Sequence, residues 1–116
     1  MELKRDAKLI RIFIGDSDKD HSTPVYEKIV IEAKKAGLAG ATVFKGIMGF
    51  GGTSRIHTSK ILRLSEDLPL IIEIVDIQEN IEHFLPTVNQ IFEDSGCGGL
   101  ITIETAEVIV YKANNK

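Results

Sequence analysis

Glycine and basic residues are concentrated in one stretch, "GIMGFGGTSRIHTSK" at residues 46–60. Consecutive backbone N–H groups in a glycine-rich turn can converge on an anion, and Arg55 and His57 would add positive charge beside them. This combination is typical of a phosphate-binding loop. Neither the P-loop pattern nor the G-x-G-x-x-G dinucleotide pattern occurs, since Gly49 and Gly51 are followed by Ser54. From the spacing alone, a flexible structural connection is therefore the favoured interpretation, and a phosphate-binding loop is the alternative.

A second glycine cluster surrounds the single cysteine, Cys97. The spacing of Gly96, Gly98 and Gly99 is by itself typical of a helix stop followed by a turn. With one cysteine the chain cannot form an intrachain disulfide, and a reducing cytoplasm is the expected compartment. One thiol without an activating partner does not indicate catalysis.

Acidic residues in "DSDKDHSTPVYE" match part of a calcium-loop pattern. Asp16, Asp18, Asp20 and Glu27 fill the four carboxylate positions of that pattern, but His21 stands where glycine is required. We therefore interpret this stretch as a solvated acidic turn.

Other polar residues give no spacing typical of a catalytic or metal site within one chain. His57 and Cys97 lack paired zinc-ligand spacing, although neighbouring subunits could bring such residues together. Ser54 lies near His57 without an oriented base. Glu73, within an apolar strand, is a candidate for a perturbed pKa, but a carboxylate on a half-exposed strand face or at a subunit contact is the favoured interpretation. We predict no catalytic residue and no metal ligand.

Size and charge narrow the class of protein. The 116 residues suit a single domain spanning 1–116, and the net charge of -3 gives no general attraction to nucleic acid. No segment approaches the ~18 apolar residues of a membrane span, and the N-terminus lacks a signal-peptide run. We expect a cytoplasmic protein that does not insert into membranes.

The apolar periodicity predicts four strands and two helices in the order strand, helix, strand, strand, helix, strand. This is the α+β, ferredoxin-like pattern, an antiparallel sheet with both helices on one face. The strands carry too many apolar residues for the other face to be exposed to solvent. We therefore expect this face to be buried between the subunits of a homo-oligomer. Asp76 and Glu79 have the spacing of a capping box before the second helix. In "LITIETAEVIVY" the alternation shifts phase after Glu104, which predicts a bend, a bulge or two short strands.

Four segments together resemble a known family: "LIRIFIGDSDK", "AGLAGATVFKGIMGFG", "SRIHTSKILRLSEDLPLIIEIVD" and "GLITIETAEVIVY". The family is catalogued as domain of unknown function 190 and described as PII-like, and the resemblance runs from about Leu9 to Tyr111. It implies a ferredoxin-like trimer related to the PII nitrogen-regulatory proteins. Those proteins bind adenine nucleotides in clefts between subunits and signal through a long mobile loop, which corresponds here to about residues 49–68.

The resemblance also implies a nucleotide site. It places Thr42 at the adenine, the third strand beside the nucleotide, and the two glycine clusters at the loop base and the phosphates. The charge of the sequence adds Arg55, His57 and Lys112 as candidate phosphate contacts. The candidate residues are Thr42, Gly49, Phe50, Gly51, Arg55, His57, Glu73, Ile74, Val75, Gly96, Gly98, Gly99 and Lys112. "SGCGG" lacks the PII lysine and "EVIVYK" lacks the paired PII arginines, so AMP or ADP is favoured over ATP.

The leading hypothesis is a non-enzymatic homotrimer without a cofactor. It would report nucleotide state through its loop to an unknown protein target, such as a membrane transporter or channel. One alternative is a divalent-metal-binding trimer related to metal-tolerance proteins, using His57 and Cys97 of neighbouring chains. Another is a small hydrolase that uses Glu73 or His57.

Overall fold

The order of secondary-structure elements agrees with the sequence prediction. The computed structural model describes residues 7–51, 57–58 and 68–114. The elements are β1 Ala7–Gly15, β2 Lys19–Asp20, β3 Thr23–Pro24, α1 Val25–Lys35, β4 Thr42–Lys45, β5 Met48–Gly49, β6 His57–Thr58, β7 Pro69–Ile77, α2 Gln78–Ser95 and β8 Leu100–Thr105. The two-residue strands, which periodicity does not reveal, pair as β2 with β3 and β5 with β6.

The four longer strands form one antiparallel sheet in the order β4-β7-β1-β8. Strand β1 is central, pairing with β7 along its whole length and with β8 from Lys8 to Phe13. Both helices pack on one face of this sheet, where they share a hydrophobic core with its strands. The architecture is the ferredoxin-like fold that the sequence predicts.

Alternate residues of the two central strands build that core. Ile10 and Ile12 of β1 and Ile72 and Ile74 of β7 are at most 1% exposed, because a strand places every second side chain on one face. The helices complete the core with their apolar faces, through Val25, Ile29, Ala33, Ile81, Phe84, Val88 and Ile91. Within the described residues, no helix is long and apolar enough to cross a membrane.

The sheet face opposite the helices has an apolar row across all four strands. In register, Leu100 of β8 pairs with Phe13 of β1, Phe13 with Ile71 of β7, and Ile71 with Phe44 of β4. Leu100 and Phe44 are 56% and 48% exposed. The open face therefore presents large apolar side chains on both edge strands of the sheet.

The phase shift predicted near Glu104 corresponds to the end of a strand. β8 stops at Thr105, and the described residues after it, 106–114, contain no further strand. The Ala106 N–H donates to the Ala7 carbonyl at 3.0 Å, which holds the chain beside the start of β1. The run "VIVY" therefore leaves the sheet, and it contributes to the cleft described next.

Candidate functional site

A cleft of about 360 Å³ lies beside the open face of the sheet. Its walls come from the connection between α1 and β4, from the outward-facing residues of β4 and β7, and from the segment after β8. The lining residues are Ala39, Gly40, Ala41, Thr42, Glu73, Val75, Val108, Val110 and Tyr111. Most of them are apolar, and the hydroxyls of Thr42 and Tyr111 and the carboxylate of Glu73 supply polar groups. A mainly apolar wall with a few polar groups is typical of a small-molecule site.

Thr42 and Glu73 lie side by side because their strands are in register. β4 pairs with β7 so that Thr42 is directly opposite Glu73, which places both side chains on the same face of the sheet. Val75 lies two residues further along β7 and shares this face. Three residues that the family resemblance implies for the nucleotide site thus line one cleft.

Glu73 is held by an ion-pair network that crosses the open face. Arg11 Nε donates to Glu73 Oε2 at 2.9 Å, and Arg11 Nη1 donates to Glu104 Oε2 at 3.1 Å. The hydrogen bond to Glu73 and the two nearby carboxylates raise the pKa of Arg11 above its ordinary value. The network fixes the Glu73 carboxylate at the edge of the cleft.

A buried carboxylate positions the wall of the cleft opposite Glu73, which the connection between α1 and β4 forms. Asp76 is fully buried, and its Oδ2 accepts a hydrogen bond from the Ala39 N–H at 2.8 Å. Its Oδ1 accepts from the Ile77 N–H at 2.7 Å and from Asn80 Nδ2 at 2.9 Å.

The predicted capping box is wrong, since α2 begins at Gln78 without a side-chain cap. The Asp76 carboxylate does not cap the helix because it accepts hydrogen bonds from the Ala39 N–H in the cleft wall, from the Ile77 N–H and from Asn80 Nδ2.

The first glycine cluster packs closely against the start of β7. A Cβ on Gly46 would lie 2.8 Å from Pro69 Cγ, and one on Gly49 would lie 3.1 Å from the same atom. The Gly46 N–H also donates to the Pro69 carbonyl at 2.7 Å. Glycine at residue 46 therefore allows a close approach of two chain segments.

The second glycine cluster ends α2, and its last residue, Gly99, packs against Phe92 of α2 and the backbone of Phe13 in β1. Gly96 adopts a left-handed conformation (φ 71°) at the helix C-terminus, as the spacing predicts. A Cβ on Gly99 would lie 2.7 Å from Phe92 Cζ and 2.9 Å from the Phe13 carbonyl oxygen. Nothing lies within 4 Å of a Cβ on Gly98.

The remaining predicted site residues lie elsewhere or cannot be placed. Ile74 is buried in the core, so its side chain faces away from Glu73 and Val75. Phe50, Gly51 and Lys112 are exposed and do not line the cleft. Arg55 and most of the predicted loop 49–68 lie outside the described residues, and of His57 only the backbone in β6 is described, paired with Gly49.

The acidic turn after β1 is structural, and its interpretation as solvated is wrong. Asp20 is 3% exposed and its Oδ2 accepts from Lys28 Nζ at 3.0 Å, a bond that raises the pKa of Lys28. Asp16 accepts from the Leu68 N–H at 3.2 Å and pairs with Lys45 Nζ at 3.0 Å. Asp16 thus joins the end of β1 to β4 and to Leu68, which directly precedes β7, and Asp20 joins β2 to α1. No group of three or more potential metal ligands occurs within the described part of the chain.

Cys97 is expected to react slowly. Burial, with the nearby Asp18 and Asp20 carboxylates, raises the pKa of the thiol, which lowers the thiolate fraction at any given pH. Iodoacetamide at mildly alkaline pH should alkylate the native protein more slowly than the urea-unfolded chain, as followed by mass spectrometry. Equal or faster alkylation of the native protein would contradict this environment for Cys97.

The family profile named DUF190 and described as "Uncharacterized ACR, COG1993" matches residues 7–108. The chain belongs to this family. A UPF0166 protein of Aquifex aeolicus is 39% identical over 102 residues, which cover 88% of this chain and 92% of that protein. The resemblance inferred from the sequence is confirmed.

Solved structures share the fold of this family member at low sequence identity. CPII, a nitrogen regulatory PII-like protein from Thiomonas intermedia K12 bound to ADP, AMP and bicarbonate, has a TM-score of 0.63 and 17% identity, covering 84% of this chain and 83% of CPII. A PII-like signalling protein from Thermus thermophilus has a TM-score of 0.61 and 16% identity, covering 84% of each chain. The ferredoxin-like fold is therefore that of PII-like proteins.

Six of the cleft residues were not predicted from the sequence, namely Ala39, Gly40, Ala41, Val108, Val110 and Tyr111. For the last three a signal exists, since a β-branched run ending in an aromatic residue continues past the phase shift at Glu104. Residues 39–41 are small and carry no such signal. They reach the cleft because Asp76, distant in sequence, holds Ala39 there.

Proposed function

We propose that this chain is a PII-like regulatory protein that binds an adenine nucleotide, AMP or ADP, in the cleft lined by Thr42, Glu73 and Val75. The observation that carries this proposal is the convergence of these three residues from two strands on one mainly apolar cleft. They are three of the thirteen residues that the sequence and its family resemblance make candidates for the nucleotide site. The binding of ADP and AMP by CPII, which shares the fold, gives further support.

The chemistry of the cleft suits a nucleoside. Val75, Val108 and Val110 offer an apolar surface to a flat base, while the Glu73 carboxylate can accept hydrogen bonds from an exocyclic amine or from ribose hydroxyls. No lysine or arginine is among the described lining residues. Any positive charge that neutralises the phosphates must therefore come from outside the described cleft wall. The lack of basic residues in the wall favours AMP or ADP over the more highly charged ATP.

We further propose that three copies assemble through the open sheet face and that the clefts lie between subunits. The exposed row of Phe44 and Leu100, continued inward by Phe13 and Ile71, supplies an apolar surface for such contacts. The loop 49–68 would then report ligand state to a protein target, such as a membrane transporter or channel. In this proposal the protein has no catalytic role, and the Arg11-bound Glu73 serves in recognition.

Titration calorimetry with AMP, ADP and ATP tests the nucleotide proposal, with GDP as the control for the base. We expect saturable binding of AMP or ADP, weaker binding of ATP and no binding of GDP. Each titration is repeated with bicarbonate, because bicarbonate accompanies the nucleotides bound to CPII. No saturable heat with any adenine nucleotide below millimolar concentration would overturn the proposal.

A further inference from the structure

The segment that follows β8 forms one wall of the cleft while being loosely attached to the rest of the chain. We call residues 106–111 the C-terminal strap. Val108, Val110 and Tyr111 of the strap line the cleft, yet Val110 and Ile109 are 77% and 76% exposed. Apolar side chains that line a cleft and still face solvent gain contacts when a ligand fills the cleft.

Two hydrogen bonds among the described residues fix the ends of the strap. At its start the Ala106 N–H donates to the Ala7 carbonyl at 3.0 Å. At its end the Tyr111 hydroxyl donates to the Ala39 carbonyl at 3.2 Å. Between these bonds the strap has no strand pairing, so the Tyr111 hydrogen bond ties the far end of the strap to the opposite wall.

The partner of Tyr111, Ala39, is itself hydrogen-bonded to the core. The Ala39 N–H donates to the fully buried Asp76 carboxylate at 2.8 Å, and the Ala39 carbonyl accepts from Tyr111. Hydrogen bonds therefore hold Ala39 through both its N–H and its carbonyl, one from the core and one from the strap. A fixed acceptor on the far wall makes the Tyr111 hydroxyl an effective latch.

We propose that the C-terminal strap closes over the bound ligand and that Tyr111 is the residue that latches it. The Tyr111 hydroxyl holds the strap to Ala39, and its ring covers the ligand from the strap side, where an aromatic face suits a planar base. This inference rests on the proposed nucleotide binding for the identity of the ligand. The latch itself is a property of the ligand-free chain.

Three variants separate the roles of Tyr111. Tyr111→Phe removes the hydroxyl and keeps the ring, Tyr111→Ala removes both, and Ile109→Ala changes an exposed strap residue that does not line the cleft. Stopped-flow kinetics with a fluorescent ADP analogue should show dissociation about threefold to tenfold faster in Tyr111→Phe, the loss expected for one neutral hydrogen bond. Because the latch is also present in the ligand-free chain, association should be faster as well. Tyr111→Ala should dissociate faster still, and Ile109→Ala should behave as the wild type.

Amide hydrogen exchange without ligand tests the latch independently of nucleotide binding. Peptides covering residues 39–42 and 106–111 should exchange faster in Tyr111→Phe than in Ile109→Ala, while peptides of the core strands stay unchanged. Unchanged exchange in both Tyr111 variants would overturn the latch, whether or not nucleotides bind. If the wild type binds ADP and both Tyr111 variants release it at the wild-type rate, the strap proposal fails while the proposed function stands. If no adenine nucleotide binds, the proposed function fails and ligand-free exchange alone decides the latch.

Discussion

Replacing Asp76 with alanine is expected to lower the free energy of unfolding by about 3 kcal/mol. Asp76 is fully buried and accepts three hydrogen bonds, from the Ala39 and Ile77 N–H groups and from Asn80 Nδ2. A hydrogen bond to a charged group contributes roughly 1.5 to 3 kcal/mol, and the substitution would leave three partly buried donors without this acceptor. The total stays below the sum of three bonds because the substitution also removes a desolvated carboxylate.

Urea unfolding followed by circular dichroism measures this loss. Glu79→Ala, an exposed carboxylate three residues later, is the matched control and should change stability by less than about 0.5 kcal/mol. Asp76→Asn keeps one acceptor oxygen and should fall between the two variants. An Asp76→Ala variant as stable as Glu79→Ala would contradict the role assigned to this carboxylate.

Replacing Gly99 with alanine should destabilise the fold by about 1 to 3 kcal/mol, the usual cost of overpacking. The new Cβ would lie 2.7 and 2.8 Å from Phe92 Cζ and Cε2, and 2.9 Å from the Phe13 carbonyl oxygen. The Phe92 ring can shift only partly because it packs against the core, and the Phe13 carbonyl belongs to the central strand.

Gly98→Ala provides the matched control for this substitution. A Cβ there would meet no atom within 4 Å, so stability should be unchanged or slightly increased. Thermal or urea unfolding of the two variants under identical conditions gives the comparison. Equal stability of Gly99→Ala and Gly98→Ala would show that Gly99 is not required for packing.

The fold could be predicted from the sequence because its signals are local. The isoleucines of β1 and β7 alternate with the pleat, and the apolar faces of α1 and α2 follow helical spacing. Prediction failed where a local spacing is compatible with both a local and a long-range contact. Asp76 and Glu79 have the spacing of a capping box, but Asp76 bonds Ala39, which lies 37 residues earlier in the chain.

The candidate site was only partly predictable because its contacts join residues that are distant in the sequence. Thr42, Glu73 and Val75 came from the family resemblance, and strand register then placed Thr42 opposite Glu73. The Tyr111 contact with Ala39 joins residues 72 positions apart, and no sequence period encodes such a pair. Likewise, the need for glycine at residue 99 depends on Phe13, at the other end of the chain.

The most direct test of nucleotide binding in this cleft is a variant that fills it. Gly40 lines the cleft, and a Cβ there would meet no atom within 4 Å, so Gly40→Phe can occupy the space without displacing the core. Asn89→Phe, which changes an exposed position on α2, is the control for an added surface phenylalanine. Unfolding midpoints of all three proteins first establish that the variants are folded.

Titration calorimetry with ADP then compares the wild type with the two variants. We predict that the wild type and Asn89→Phe bind ADP equally well and that Gly40→Phe binds at least about tenfold more weakly, a loss of roughly 1.4 kcal/mol. Wild-type affinity in a folded Gly40→Phe protein, or binding of neither ADP nor AMP by the wild type, would contradict the account.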